Sequence, residues 1–207
     1  MGDAFGNGLI KTAGLGEVLN LSKGKLGGDR ATSIAAVAQL MRGLKSLDLS
    51  KNKLNANEVK ELAGAILANA SLTQVMYVSR TDLKPPCFYA AHMLLQIDLS
   101  GNQIGGYQAD LRIVSTPEGP KAIADAIRVS PSITSVGKDG LNLKKNYFGA
   151  EGWGAIFAAI CSSQVSNITS VDASGENIGP EGAKLIGQAL GNSVNPSVTS
   201  VRANIGW

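Results

Sequence analysis

Apolar residues along this chain keep returning to one spacing. In GLKSLDLSKNKL, Gly43–Leu54, they stand at Leu44, Leu47, Leu49 and Leu54, with Asn52 between the last two. Fifty residues on, MLLQIDLSGNQI repeats the spacing with Leu94, Ile97, Leu99, Asn102 and Ile104. The alternation at 47 and 49 predicts a short strand with one buried face. The asparagine predicts a tight turn after it, held by its amide on backbone groups. The same ruler fits Leu19, Leu21 and Leu26, with Gly24 at the asparagine place. It fits Leu72, Val75 and Tyr77, with Arg80 at that place. It fits Leu141, Leu143, Asn146 and Phe148, then Ile168, Val171, Ala173 and Ile178 with Glu176 as the odd residue. A last partial copy holds Val198, Val201 and Ala203.

A second phrase alternates with the first: PEGPKAIADAI from Pro117, AEGWGAIFAAI from Ala150 and PEGAKLIGQAL from Pro180 align without a gap. ANEVKELAGAI from Ala56 is a looser copy. Ala183, Ile186, Ala189 and Leu190 recur at the spacing of one helix face. Proline and an acidic residue suit a first helical turn. Each unit therefore reads strand, turn, helix, return, and neighbours bury the apolar face that one unit cannot bury alone. Intervals run 28 residues from position 16 to 44 and from 44 to 72, then 22 from Leu72 to Leu94, where Pro85 and Pro86 leave little room for a helix. Two units are longer. One carries an extra stretch, Gly106–Thr116, and the other carries Ile133–Gly140 before its strand. In the second, either Ile133, Val136 and Lys138 or Leu141 and Leu143 take the strand places.

With these two phrases in fixed phase, the chain resembles a leucine-rich repeat protein of the ribonuclease-inhibitor-like class over roughly residues 15 to 205. The resemblance implies an α/β solenoid, a horseshoe arc with parallel strands on the concave side and helices on the convex side. Members commonly bind other proteins on the concave side, and catalysis is not expected of them. Gly24, Arg80 and Glu176 depart from the family's turn residue. The expected division is a short N-terminal extension or cap, 1–14, and a repeat domain, 15–207, of about seven units with the last incomplete.

Residues between the apolar strand places are expected on the concave face. They include Ser46, Asp48, Ser50 and Lys51; Met76 and Val78, the apolar exception; Asp98; Lys144 and Lys145; Asp172; and Arg202. With Trp207, expected at an open edge, these form the candidate protein-binding set. Asp48, Asp98 and Asp172 share one register place. With the Met76 strand between the first two, Asp48 and Asp98 are expected two strand spacings, roughly 10 Å, apart. That arrangement suggests no acid–base pair, and no catalytic residue is assigned. Trp153 either fills space among smaller neighbours or stands exposed as an anchor.

Composition narrows the function further. Of 207 residues 44% are apolar but only 5% aromatic, so the core must come from Leu, Ile, Val and Ala. The net charge of +3 is too small to imply nucleic acid by itself. With one histidine, His92, and two cysteines, Cys87 and Cys161, no zinc site is suggested, though the cysteines leave room for one disulfide. Gly27-Gly28 and Gly105-Gly106 lack the surroundings of a phosphate loop and are expected to turn the chain from strand to helix. The start of the chain has no signal-peptide pattern, and no segment approaches 18 apolar residues. An intracellular setting, cytoplasmic or organellar, is therefore expected. The expected function is that of a non-catalytic protein-interaction or structural subunit of a larger assembly, with no cofactor or metal. The alternative is a regulatory module that binds nucleic acid or a phosphorylated ligand through a lysine strip.

Overall fold

The computed structural model describes residues 18–24, 46–64, 96–110 and 112–203, and the structural statements below concern these. Met76, Val78, Trp207, Cys87, His92 and the Leu72–Tyr77 strand phrase lie outside them. The element order is β1 (Val18–Asn20), β2 (Ser46–Asp48), a helical stretch at 56–64, β3 (Gln96–Asp98), β4 (Gly106–Ala109), β5 (Arg112–Ser115), α1 (Glu118–Val129), β6 (Ser135–Val136), β7 (Leu141–Asn142), α2 (Gly149–Ser162), β8 (Ser170–Ala173), α3 (Gly179–Gly191) and β9 (Ser200–Ala203). Seven strands form one parallel sheet in the order β1-β2-β3-β7-β6-β8-β9.

The leucine ruler sets the register of that sheet. Leu19 pairs with Leu47, Leu47 with Ile97, and Ile97 with Leu141. Leu47, Leu49, Ile97, Leu99, Leu141, Leu143, Ile168, Val171 and Ala173 are buried in one cluster with Ile123, Ile127, Ile156, Ile160 and Ile186 of the helices. The helix phrase delivers three helices packed in sequence, α1 on α2 and α2 on α3. Glu118, Glu151 and Glu181 stand in their first turns, where the helix dipole favours an anion. The helix at 56–64 starts with a reciprocal cap: the Asn55 N–H donates to Glu58 Oε2 at 2.8 Å, and the Asn57 N–H donates to Asn55 Oδ1. Helix C-terminal carbonyls are closed by the following unit. Arg128 O accepts from Ser163 Oγ, and Ile160 O accepts from Asn195 Nδ2 at 2.9 Å.

The turn place carries an asparagine ladder. Asn52, Asn102 and Asn146 are all buried. Asn102 Nδ2 donates to Leu49 O and Leu99 O at 3.1 and 2.8 Å, while its Oδ1 accepts from the Asn52 and Leu54 N–H groups at 2.8 and 3.1 Å. Asn146 Nδ2 donates to Leu99 O and Leu143 O in the next step. One amide thus ties two units and satisfies groups that burial would otherwise leave unpaired. The ladder stops at Glu176, whose Oε1 accepts from the Lys145 N–H at 3.0 Å. Burial raises the Glu176 carboxyl above its ordinary value, against the lowering pull of that hydrogen bond and of nearby lysine charge.

Three sequence expectations change. First, Asp48 pairs directly with Asp98, so no strand lies between β2 and β3. Their separation is one strand spacing, about 4.8 Å between backbones, and not two. Second, both registers open in the Ile133–Phe148 unit are used. Val136 pairs with Val171 on one side, Leu141 pairs with Ile97 on the other, and the two pair with each other. A parallel neighbour normally needs a crossover of a dozen or more residues. Here each strand has two residues, and 137–140 return the chain in a tight loop closed by the Gly137 N–H on Leu141 O at 2.9 Å. Third, Gly105-Gly106 lead into a hairpin, β4–β5, and not directly into a helix. Tyr107 opposes Val114 and Gln108 opposes Ile113. Both faces of this ribbon expose an apolar side chain, with Ile113 61% exposed.

The third residue of the helix phrase explains itself sterically. A Cβ at Gly119 would lie 1.9 Å from Ile104 O, and at Gly182 it would lie 2.4 Å from Ile178 Cγ2 and 3.0 Å from Ala150 Cα. The helix start is pressed against the preceding turn. Gly119→Ala should therefore lower stability by about 2–3 kcal/mol through forced overpacking. Gly187→Ala, on the same kind of helix with nothing within 4 Å of the added carbon, should raise it by about 0.5–1 kcal/mol. Chemical denaturation of the two variants checks both signs.

Candidate functional site

Alternation along each strand sends every second residue away from the helices. The resulting open face carries three rows. The middle row is Asn20, Asp48, Asp98, Asn142, Asp172 and Arg202, linked step by step through strand pairing, with β6 intervening between Asn142 and Asp172. Ser46, Gln96, Ser170 and Ser200 precede it on their strands, and Ser22, Ser50, Ser100, Lys144 and Ser174 follow it.

The acidic row is committed to local structure before it can bind anything. Asp48 Oδ1 accepts from the Ser50 N–H at 2.9 Å, Asp98 Oδ1 from Ser100 at 2.8 Å and Asp172 Oδ1 from Ser174 at 3.0 Å. Asn20 and Asn142 make the same bond to Ser22 and Lys144. Each is a side-chain turn two residues wide, closing the strand before the asparagine place. The signal was in the sequence as the repeated Asx-x-Ser spacing, which periodicity alone does not interpret. The second carboxylate oxygens reach across strands. Asp98 Oδ2 accepts from Asn142 Nδ2 at 3.1 Å, and Asp172 Oδ2 accepts from Lys144 Nζ at 3.1 Å, with Lys144 also 3.3 Å from Ser174 Oγ.

Hydrogen bonding from Ser174, then the hydrogen bond and charge of Lys144, hold the Asp172 carboxyl down at about 2, against the opposing effect of its partial burial. A value below the ordinary 3.8 means that this group's contribution to folding is fully present above that pH and fades as pH falls towards 2. A carboxyl-detected NMR titration should place the Asp172 midpoint near 2, and both Ser174→Ala and Lys144→Ala should raise it.

The predicted residues that are described divide between the open face and the turn edge. Ser46, Asp48, Asp98, Lys144 and Asp172 are half-buried on the open face, and Arg202 is exposed on β9. Ser50 stands in the third row but is only 8% exposed, at the turn. Lys51 and Lys145 are exposed but belong to the turn edge, with φ of 58° and 60°, alongside Lys23 at 58°. Gly101 and Gly175 occupy the same left-handed place in their units. Trp153 resolves to the space-filling alternative. It is 0% exposed, edge-on to Phe148 with centroids 5.6 Å apart, and tilted against Phe157 at 6.4 Å. Cys161 is a free, buried thiol whose pKa burial raises, a setting unsuited to a nucleophile.

Among the described residues no group of three or more His, Cys, Asp or Glu is placed to hold a metal ion. Among them, too, no helix is long and apolar enough to cross a membrane. One family model, described as Leucine Rich repeat, matches residues 90–106, the segment that includes β3 and the Asn102 turn. No curated protein matches the chain. Strand–helix units on a mostly parallel sheet, together with that match, give a leucine-rich-repeat-like α/β topology.

Proposed function

We propose that the protein is a non-catalytic interaction or structural subunit that takes a partner protein on the open face of its sheet. In this reading residues 15–207 form one solenoid of the ribonuclease-inhibitor-like kind, an arc whose open face is concave, and 1–14 are an extension. Its setting is intracellular. Met76, Val78 and Trp207 add apolar contacts to the polar set of Ser46, Asp48, Asp98, Asp172 and Arg202. The observation that carries the reading is the middle row. Five of its six rungs hold a small Asp or Asn side chain braced by its own turn, and the sixth carries Arg202. A braced face loses little side-chain entropy when a partner covers it. The lysine strip gains less support, because Lys144 is neutralised by Asp172 and Lys51 and Lys145 stand at the turn edge.

The test is affinity isolation from an extract of the native source at mild salt. Wild type is compared with a variant carrying Ser46→Arg, Gln96→Arg and Ser170→Arg, which crowd the face without touching the turns. Companion proteins retained by wild type and lost by the variant are expected. Absence of any companion with wild type, or full retention by the variant, would refute the reading.

A further inference from the structure

We propose that Glu176 is a proton-controlled rung of the asparagine ladder: neutral, it completes the hydrogen bonding between the β7–α2 and β8–α3 units, and charged, it leaves that joint short of a donor. Mild acid therefore tightens the β8–α3 unit on its neighbour, whatever the open face binds.

The ladder defines what is missing at this rung. Leu49 O accepts two side-chain amides, from Asn52 at 2.9 Å and from Asn102 of the neighbouring unit at 3.1 Å. Leu99 O likewise accepts from Asn102 at 2.8 Å and from Asn146 at 3.0 Å. Leu143 O accepts from Asn146 at 2.8 Å, and among the described residues the β8 unit sends it no side-chain donor. The residue at that place is Glu176, and a carboxylate only accepts. A carboxylic acid has one O–H to donate and keeps an acceptor oxygen, the same two functions that an asparagine amide brings. With its O–H on Leu143 O, neutral Glu176 retains on its other oxygen the bond from the Lys145 N–H, which is 3.0 Å long here.

The surroundings disfavour the charged form. Glu176 is half-buried at the turn. From α2 the indole of Trp153 approaches it, a fully buried donor whose Nε1 has no hydrogen-bond partner. That N–H is near enough to favour charge on the carboxyl, yet it lies outside hydrogen-bond geometry. Among the described residues, the charges that act on Glu176 come from the turn after β7, on Lys144 and Lys145. The Lys144 ammonium is already held by Asp172 of β8, and α2 offers only the neutral indole. These attractions do not offset the lost hydration, so the carboxyl stays above its ordinary 4.5. A raised value means that the neutral rung contributes fully below 4.5, and that the contribution is lost as pH rises through the raised value. Asp172, held low, gives up its own contribution only below 3.8. The joint is therefore firmest between 3.8 and 4.5 and loosens towards neutrality.

The experiment is a proton–nitrogen NMR titration of the full chain from neutrality into mild acid, with Trp207→Phe used to assign the indole signals. The Trp153 indole and Lys145 amide signals should move together, with one midpoint above 4.5. Glu176→Gln is permanently neutral and carries its own N–H donor. It should hold both signals still. It should also resist urea better than wild type near neutrality, by a margin that vanishes below 4.5. Lys144→Ala removes a charge that favours the ionised form and should raise the wild-type midpoint, a result that does not depend on the glutamine variant folding. A midpoint at or below 4.5, or the same movement in Glu176→Gln, overturns the proposal. So does a urea margin that stays constant with pH, which would make Glu176 an ordinary turn residue.

Discussion

Trp153→Ala is expected to lower the free energy of unfolding by about 3–5 kcal/mol, the range for removing a fully buried large aromatic from a packed core. The indole fills the helix layer where the aligned positions of the other units hold Pro120 and Ala183. Phe148 and Phe157 lean on it from the turn and from the next helical turn, so its loss leaves a cavity that neither can fill without leaving its own contacts. Trp153→Phe should recover more than half of the loss. Urea unfolding followed by circular dichroism measures both. A cost under about 1 kcal/mol would mean that the site is not buried as described.

Asn102→Ala is the second large effect, at about 3 kcal/mol or more. The substitution strands two N–H donors, of Asn52 and Leu54, and removes the side-chain donor to Leu49 O and Leu99 O. Each buried group left unpaired costs about 1–3 kcal/mol, moderated where water enters. Asn102→Asp should also be costly, since a carboxylate has no N–H to give to either carbonyl. Glu176→Ala should cost less than either, because Glu176 stands outside the ladder and is only half-buried. The ranking, Asn102 above Glu176, tests the claim that one amide serves two units.

Much of the fold was legible because burial on one face of a short strand imposes a spacing that chance rarely repeats. Leu47, Leu49, Asn52 and Leu54 reveal strand, turn and inward direction together. What the spacing does not carry is adjacency. The Leu72–Tyr77 phrase fits the ruler, and it suggested a strand between Asp48 and Asp98, but β2 and β3 pair directly. Side-chain direction is a local property, whereas strand order depends on which edges meet. The doubled rung was hidden for a related reason. Val136 and Leu141 each satisfy the pattern, and nothing in a periodic count forbids both from doing so. The β4–β5 hairpin is recognisable afterwards in the alternation of Tyr107, Ala109, Ile113 and Ser115, yet its exposed apolar residues carry no burial signal. On the open face the candidates Asp48, Asp98 and Asp172 were placed in the correct row. Their bonds to Ser50, Ser100 and Ser174, which leave only one oxygen each for other contacts, needed the geometry.

The pairing of β2 with β3 supports the whole account, since the stacked register and the continuous open face both depend on it. It is tested most directly by cysteine cross-linking. Ser46→Cys and Gln96→Cys, in a Cys87→Ser background, place two thiols on residues opposed in register on adjacent strands. Their backbone separation of about 4.8 Å lies within disulfide reach. Mild oxidation followed by peptide mass mapping should find the 46–96 disulfide within a single chain at high yield. Monomeric protein with both thiols still free, under conditions that oxidise an exposed control pair, would contradict the stacking of these units.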